Sequence, residues 1–205
     1  MSPRPDVSDA RKKQIIDAAI NVFNRAGFKD ARVEDIVKEA GISKGLVYWY
    51  YKSKEELIIA ITDHLFGEEF NRMEQADDPS IPPRECLTRY FDLYVIDLAG
   101  MLAFSPIIYE LYALAFRNAT VKKVMRGYLE RFIRSVEPII QRGIDAGEFN
   151  TVNARQASIA FGSQIEGTLL LWAYAPDSMV VEKQLQEGIS MLIKSLIQEE
   201  TEDAK

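Results

Sequence analysis

The chain has 205 residues, 47% of them hydrophobic and 27% charged, with a formal net charge of −6. That balance can bury a core and stay in solution, which excludes disorder and fibrous repeats, and 11 Gly with 8 Pro are too few for a chain of turns. The single cysteine, Cys86, leaves neither a disulfide framework nor a multi-thiolate site, and the single histidine, His64, leaves a metal or a catalytic base only one imidazole. No cofactor and no metal are expected. Met1 to Lys13 lacks the apolar run of a signal peptide. The greasiest stretch, Leu98 to Phe116, is broken by Ser105-Pro106 and Glu110, unlike a membrane span. The expectation is a cytoplasmic protein.

In chain order the hydrophobic spacing predicts helices throughout. Ser8-Asp9 offers an N-cap pair. Ile15, Ala18, Ala19, Val22, Phe23 and Ala26 then recur at helical spacing until Gly27. Val33, Ile36, Val37 and Ala40 form a second, shorter helix stopped by Gly41, where a left-handed C-cap costs least. Leu46 and Val47 open a third helix through Tyr51. Lys54 begins a long one, with Leu57, Ile58, Ile61, Leu65, Phe66, Phe70 and Met73 on its apolar side. Ala76 to Pro83 reads as a loop. Leu87, Tyr90, Phe91, Tyr94, Val95, Leu98, Met101 and Leu102 fit one face of the next helix. Ser105-Pro106 suits the N-cap and first position of another, apolar almost all round from Ile107 to Phe116 and so expected to be buried. Further helices are predicted over about 120–144, with Pro138 a candidate kink, over 154–175 and over 181–199. The fold expected is all-α with about nine helices.

Charge is unevenly placed. Residues 1–54 carry 11 Lys/Arg against 7 Asp/Glu, whereas residues 55–205 carry 14 against 24. A basic head on an acidic body is the asymmetry expected when one end meets a polyanion. The segment Val33 to Lys54, VEDIVKEAGISKGLVYWYYKSK, decides the matter. Two short helices around Gly41-Ile42-Ser43 have helix-turn-helix spacing, in which the second helix enters the DNA major groove by its N-terminal residues. That N-terminus is Ser43-Lys44-Gly45. Free amides there can meet phosphate, Gly45 has no side chain to hold the backbone off the duplex, and Lys44 adds a cation. The run from Tyr48 to Tyr51 supplies phenol hydroxyls. Lys54 sits at the positive end of the next helix, where a nearby phosphate would account for it.

These residues resemble the DNA-binding domain of TetR-type transcriptional repressors. The matching pieces are Ala18-Ala19, Phe23, Gly27-Phe28, Val33-x-x-Ile36, Ala40 to Gly45, and Val47-Tyr48-x-Tyr50-Tyr51-Lys52-Ser53-Lys54-Glu55-Glu56-Leu57. The resemblance implies a homodimeric regulator with a DNA-binding domain at 8–68, its motif at about 32–51, and a C-terminal helical effector-binding and dimerisation domain at 76–200. Its partners would be a double-stranded DNA operator, a small-molecule effector and a second copy of the chain. The family usually has Thr or Ser capping the second helix, where this chain has Ala31-Arg32, and Arg32 can replace that phosphate contact. The residues expected to meet DNA are Arg32, Ser43, Lys44, Gly45, Val47, Tyr48, Tyr50, Lys52 and Lys54. A competing pattern, Gly41-Ile42-Ser43-Lys44-Gly45, matches the G-x-S-x-G elbow of hydrolases. That elbow needs a preceding strand and a histidine after the acid, and the pattern here follows a helix.

The acidic body is rich in rings, which the resemblance implies could wall a cavity for a flat or greasy effector. Phe66, Tyr94, Leu98, Glu110, Phe132, Phe161 and Trp172 are the candidates, Glu110 as a carboxylate able to meet a cationic ligand. The last two helices carry apolar stripes, and pairing them across a two-fold axis would bring Ile165, Leu169, Leu185, Ile189, Leu192 and Leu196 into a four-helix bundle. The function expected is a ligand-released repressor. The alternatives are a constitutive DNA binder without effector and, least favoured, a serine hydrolase.

Overall fold

The computed structural model describes residues 7–74 and 76–197. Among them are nine α-helices: α1 Val7–Asp30, α2 Val33–Ala40, α3 Lys44–Tyr50, α4 Lys54–Glu74, α5 Pro83–Leu102, α6 Ser105–Ala115, α7 Ala119–Asp145, α8 Ala154–Tyr174 and α9 Val181–Leu196. A single 3₁₀ turn, Pro176–Ser178, joins the last two. The only strand-like pairing among the described residues is an isolated bridge between Phe149 and Ile197. The all-α expectation holds.

The chain divides into two compact units, Met1–Glu68 with Gly100–Gly127, and Glu69–Ala99 with Tyr128–Lys205. The first is therefore discontinuous. Residues 100–127, inside the region expected to form the C-terminal domain, cluster with the N-terminal helices.

In the first unit, Ile15, Ala19, Val22 and Phe23 of α1, Ile36 and Ala40 of α2, Val47 of α3, Leu57 and Ile61 of α4, Ile107 and Leu111 of α6, and Val121 of α7 are buried in one core. Ala26, assigned to the same stripe, is exposed. Gly27 (φ 71°, ψ 167°) breaks α1, and Gly41 (φ 64°, ψ 31°) supplies the left-handed C-cap of α2. α1 is already helical at Val7, so Ser8-Asp9 lies within its first turns rather than before them. α6 is not buried all round. It commits Ile107 and Leu111 to the core, and Phe116, which follows it, is 85% exposed.

In the second unit, aromatic rings from α5, α7 and α8 fill the centre. Phe91 stacks on Phe161 at 4.7 Å, Tyr90 meets Phe91 edge-on at 5.2 Å, and the Tyr90 hydroxyl shares a 2.6 Å hydrogen bond with Ser135. Such pairs add to the ordinary burial of large rings. α7 runs through Pro138. α9 ends at Leu196, short of the Glu199 expected, and residues 198–199 lie outside the described residues. Chain exit is fixed by Asn150, whose N–H donates to the Leu196 carbonyl and whose amide donates to Ile197.

Candidate nucleic-acid interface

α2 is anchored before α3 is placed. The Gln14 amide of α1 donates to the Ala40 carbonyl at 2.7 Å, and Arg25 of α1 pairs with Glu39 at 2.8 Å. The Gly41 N–H reaches the Lys38 carbonyl and the Ile42 N–H the Val37 carbonyl, which closes the turn, while Ile42 packs on the core. Ser43 then caps α3, its Oγ accepting the Leu46 N–H at 3.3 Å. This hydroxyl is a helix cap, and the element before it is the helix α2 rather than a strand, so the hydrolase pattern lacks its elbow.

What remains outside is a polar and aromatic ridge. Lys44 is exposed, and a Cβ at Gly45 would meet nothing within 4 Å. Tyr48 is 38% exposed and Trp49 74%. Lys44 Nζ lies 5.8 Å from the centre of the Tyr48 ring and 2.5 Å from Glu34 Oε1 of α2. The hydrogen bond from Lys44 holds the Glu34 carboxyl below the usual carboxylate range, and Glu34 in turn raises Lys44. An anion approaching Lys44 would therefore compete with Glu34 for this ammonium.

Two basic residues serve the fold first. Lys52 Nζ donates to the Tyr48 and Trp49 carbonyls at 2.9 and 3.0 Å, satisfying the C-terminal turn of α3, and lies 5.7 Å from the Trp49 ring centre. Lys54 Nζ donates to the Ala31 carbonyl at 2.9 Å and to the Lys29 carbonyl at 3.4 Å, and sits 6.0 Å from the Phe23 ring centre. The phosphate invoked from sequence to explain a lysine at a helix start is therefore not required, because the carbonyls closing α1 already receive it. Val47 needs a plain correction. It is fully buried, and belongs to the core rather than to the DNA-facing surface. Tyr50 packs on the same core as Tyr51, half-buried. Arg32 is the exposed N-cap of α2, where its own N–H donates to Asp35 at 3.2 Å.

Glu110 lies elsewhere than expected. It belongs to the first unit, and its Oε2 accepts the Phe28 N–H at 2.5 Å, just past the Gly27 break. A Cβ on Gly27 would lie 2.6 Å from Oε1, so the glycine provides both the positive φ and the room. This bond replaces the ligand contact assigned from sequence. Phe66, half-buried, is also in the first unit, while Tyr94, Leu98, Phe132, Phe161 and Trp172 are in the second. Leu98 and Phe161 are packed in the core, and Phe132 closes on Gly162, where a Cβ would sit 3.1 Å from its ring. An open depression of about 600 Å³ in the second unit lies instead beside Arg84, Thr88, Leu93, Ile96 and Glu148.

The expected dimer stripe is also redistributed. Ile165, Leu185, Ile189 and Leu196 are buried within a single chain, and Leu169 and Leu192 are half-buried, because α8 and α9 pack on each other. Their approach is close enough that a Cβ on Gly188 would strike the Gln164 amide. The apolar groups left outside on these helices are Leu170, Leu171, Tyr174 and Met191.

Sequence reasoning missed Trp49, Glu34 and the Glu110–Phe28 bond. A signal existed for the first two: Trp49 lies outside the helical stripe that contains Val47, and Glu34 is an acid in the first turn of the helix preceding Lys44.

Comparison with known proteins agrees with this geometry. Residues 15–61 match the model of bacterial regulatory proteins of the tetR family. The chain is 29% identical over 206 residues to the uncharacterized HTH-type transcriptional regulator YfiR of Bacillus subtilis, covering 97% of this chain and 98% of that protein. Among solved structures it superposes on a TetR transcription regulator from Haloarcula marismortui with a TM-score of 0.83 at 19% identity, covering 93% and 100% of the two chains. It also superposes on the transcriptional regulator FadR from Bacillus subtilis, in complex with stearoyl-CoA, with a TM-score of 0.77 at 23% identity and coverage of 90% and 98%.

Proposed function

As a member of the TetR family, the chain is a DNA-binding transcriptional regulator, and we propose that it is a homodimeric repressor released from a pseudo-palindromic operator by a small apolar or aromatic effector. The observation that carries this reading is the outward ridge of α3. A capped helix start with an exposed Lys44, an unobstructed Gly45 and exposed Tyr48 and Trp49 presents cations, amides and rings together. Such a helix meets phosphates through its N-terminus and base edges through its side chains. Arg32 on the neighbouring helix adds a further exposed cation.

One such motif reads few base pairs, so two copies are needed. The outward apolar groups Leu170, Leu171, Tyr174 and Met191 of α8 and α9 favour these helices as the dimer face. Half-sites would then lie about one turn of DNA apart. For the effector, the ring-lined centre of the second unit, with Tyr94, Leu98, Phe132 and Phe161 buried in it, favours an apolar molecule, and Trp172, half-buried in the same unit, adds a further ring. A structural relative holds an acyl-CoA, which points the same way. Binding in that unit would require its packed rings to part.

Selection of bound fragments from the source genome, followed by footprinting, tests the reading. A two-fold symmetric footprint lost in Lys44→Ala supports it, and a single asymmetric half-site bound by one chain overturns the dimer. An effector found by screening should weaken operator binding about 5–150-fold, and operator must weaken effector binding by the same factor. If an apolar library yields binders that leave operator affinity unchanged, the constitutive reading replaces this one.

A further inference from the structure

A second cationic surface belongs to the same unit as the α3 ridge. Residues 1–68 are balanced, with 11 Lys/Arg and 11 Asp/Glu. Residues 100–127, which cluster with them, bring Arg117, Lys122, Lys123 and Arg126 against the single acid Glu110. The first unit's surplus of positive charge thus comes from this segment, while the second unit holds 10 basic residues against 19 acidic. No acid occurs between Glu110 and Glu130.

The other cations of the first unit are largely engaged. Arg25 pairs with Glu39, Lys44 with Glu34 and Lys13 with Asp17, while Lys52 and Lys54 sit on carbonyls. Lys122, Lys123 and Arg126 are exposed and have no carboxylate partner among the described residues. They are also well anchored. Asn118 Oδ1 accepts the Thr120 and Val121 N–H groups at the start of α7, Val121 is buried in the unit's core, and Met125 packs against it. The three cations, at i, i+1 and i+4, project from a helix start fixed to the unit that carries α3.

We propose that Lys122, Lys123 and Arg126 form an accessory phosphate-binding surface that grips duplex DNA flanking the operator. A row of like charges without interleaved acids repels itself, and a polyanion relieves that repulsion while releasing its own counterions. Duplex DNA, with one charge per about 1.7 Å of axis, is such a partner. The contact carries no base specificity, since it engages phosphates alone. It rests on the DNA-binding reading above and extends it beyond the half-sites.

The test compares two duplexes bearing the selected operator, one trimmed to its half-sites and one extended by about 10 base pairs, a turn of DNA, on each side. The full-length protein should bind the extended duplex more tightly. Its log affinity should fall more steeply with log salt, by about 0.9 for each phosphate engaged. With all three cations engaged, the advantage of the longer duplex should shrink about 40-fold per protomer between about 50 and 200 mM salt. The triple variant Lys122→Ala/Lys123→Ala/Arg126→Ala should unfold at the wild-type temperature and bind both duplexes alike. Equal salt slopes for wild type on the two duplexes, or a variant that keeps the steeper slope, overturns the proposal. A wild-type protein indifferent to the short duplex, or to Lys44→Ala on it, overturns the operator reading instead.

Discussion

Replacing Gly27 by alanine tests whether the Glu110–Phe28 contact stabilises the first unit. Two costs follow from the geometry. Gly27 has φ 71° and ψ 167°, a region almost confined to glycine that costs an L-residue about 1–3 kcal/mol. A Cβ there would also sit 2.6 Å from Glu110 Oε1, so the carboxylate must leave the Phe28 N–H. A hydrogen bond to a charged acceptor contributes about 1.5–3 kcal/mol. Gly27→Ala should therefore destabilise by about 2.5–6 kcal/mol. Glu110→Ala, which loses only the bond, should cost about 1.5–3 kcal/mol. In the double variant the bond is lost once and the clash disappears, so the two effects should be sub-additive by about the value of the bond. Urea unfolding of the four proteins measures this, provided the slopes agree among them. At about 2–4 °C per kcal/mol for chains of this size, Gly27→Ala should also lower Tm by about 5–24 °C. Strict additivity would refute the reasoning, for it would mean that the carboxylate and the glycine do not share one space.

Glu34→Gln should raise operator affinity and steepen its salt dependence, because Lys44 is freed and a like charge is removed from the phosphate's approach; unchanged binding would take Lys44 off the interface. Because the Glu34 carboxyl is held low by Lys44, the pair's stabilisation is present above the ordinary carboxylate pKa and fades only as pH falls through the lowered value. Wild-type and Glu34→Gln affinities should therefore keep a constant ratio from neutral pH down to the ordinary carboxylate range. Lys54→Met should reduce thermal stability as well as DNA binding, since two carbonyls closing α1 lose their donor; loss of binding with an unchanged Tm would restore Lys54 to a purely phosphate role. Cys86 is buried, which pushes its thiol up, so it should resist a thiol reagent at pH 8 until the protein is unfolded; rapid labelling of native protein would show that α5 opens.

What could be read in the sequence was local, and what could not was contact between distant residues. The break at Gly27, the turn at Gly41 and the cap at Ser43 each follow from one residue's conformational range or hydrogen-bonding reach, and all three lie where the pattern puts them. Val47 shows the first limit. α3 has only seven residues, so a position quoted from a DNA-contacting motif can be the one that faces inward, and here it is the helix's single buried residue. Glu110 shows the second. Its partner lies 82 residues away, and nothing in the apolar pattern of α6 announces that its carboxylate will satisfy a backbone N–H left beyond a broken helix. The dimer stripe shows a third, because helical periodicity marks which face of α8 or α9 is apolar without saying whether a helix of the same chain or of another covers it. Once Ile165, Leu185 and Ile189 are used within the chain, the large apolar residues left exposed on these helices are those the stripe left out, Leu170, Leu171, Tyr174 and Met191, and the proposed dimer would rest on them. Charge follows the same logic. The basic head visible in residues 1–54 is offset by Glu55, Glu56, Asp63 and Glu68 of α4, and the first unit becomes cationic only when folding brings the start of α7 into it.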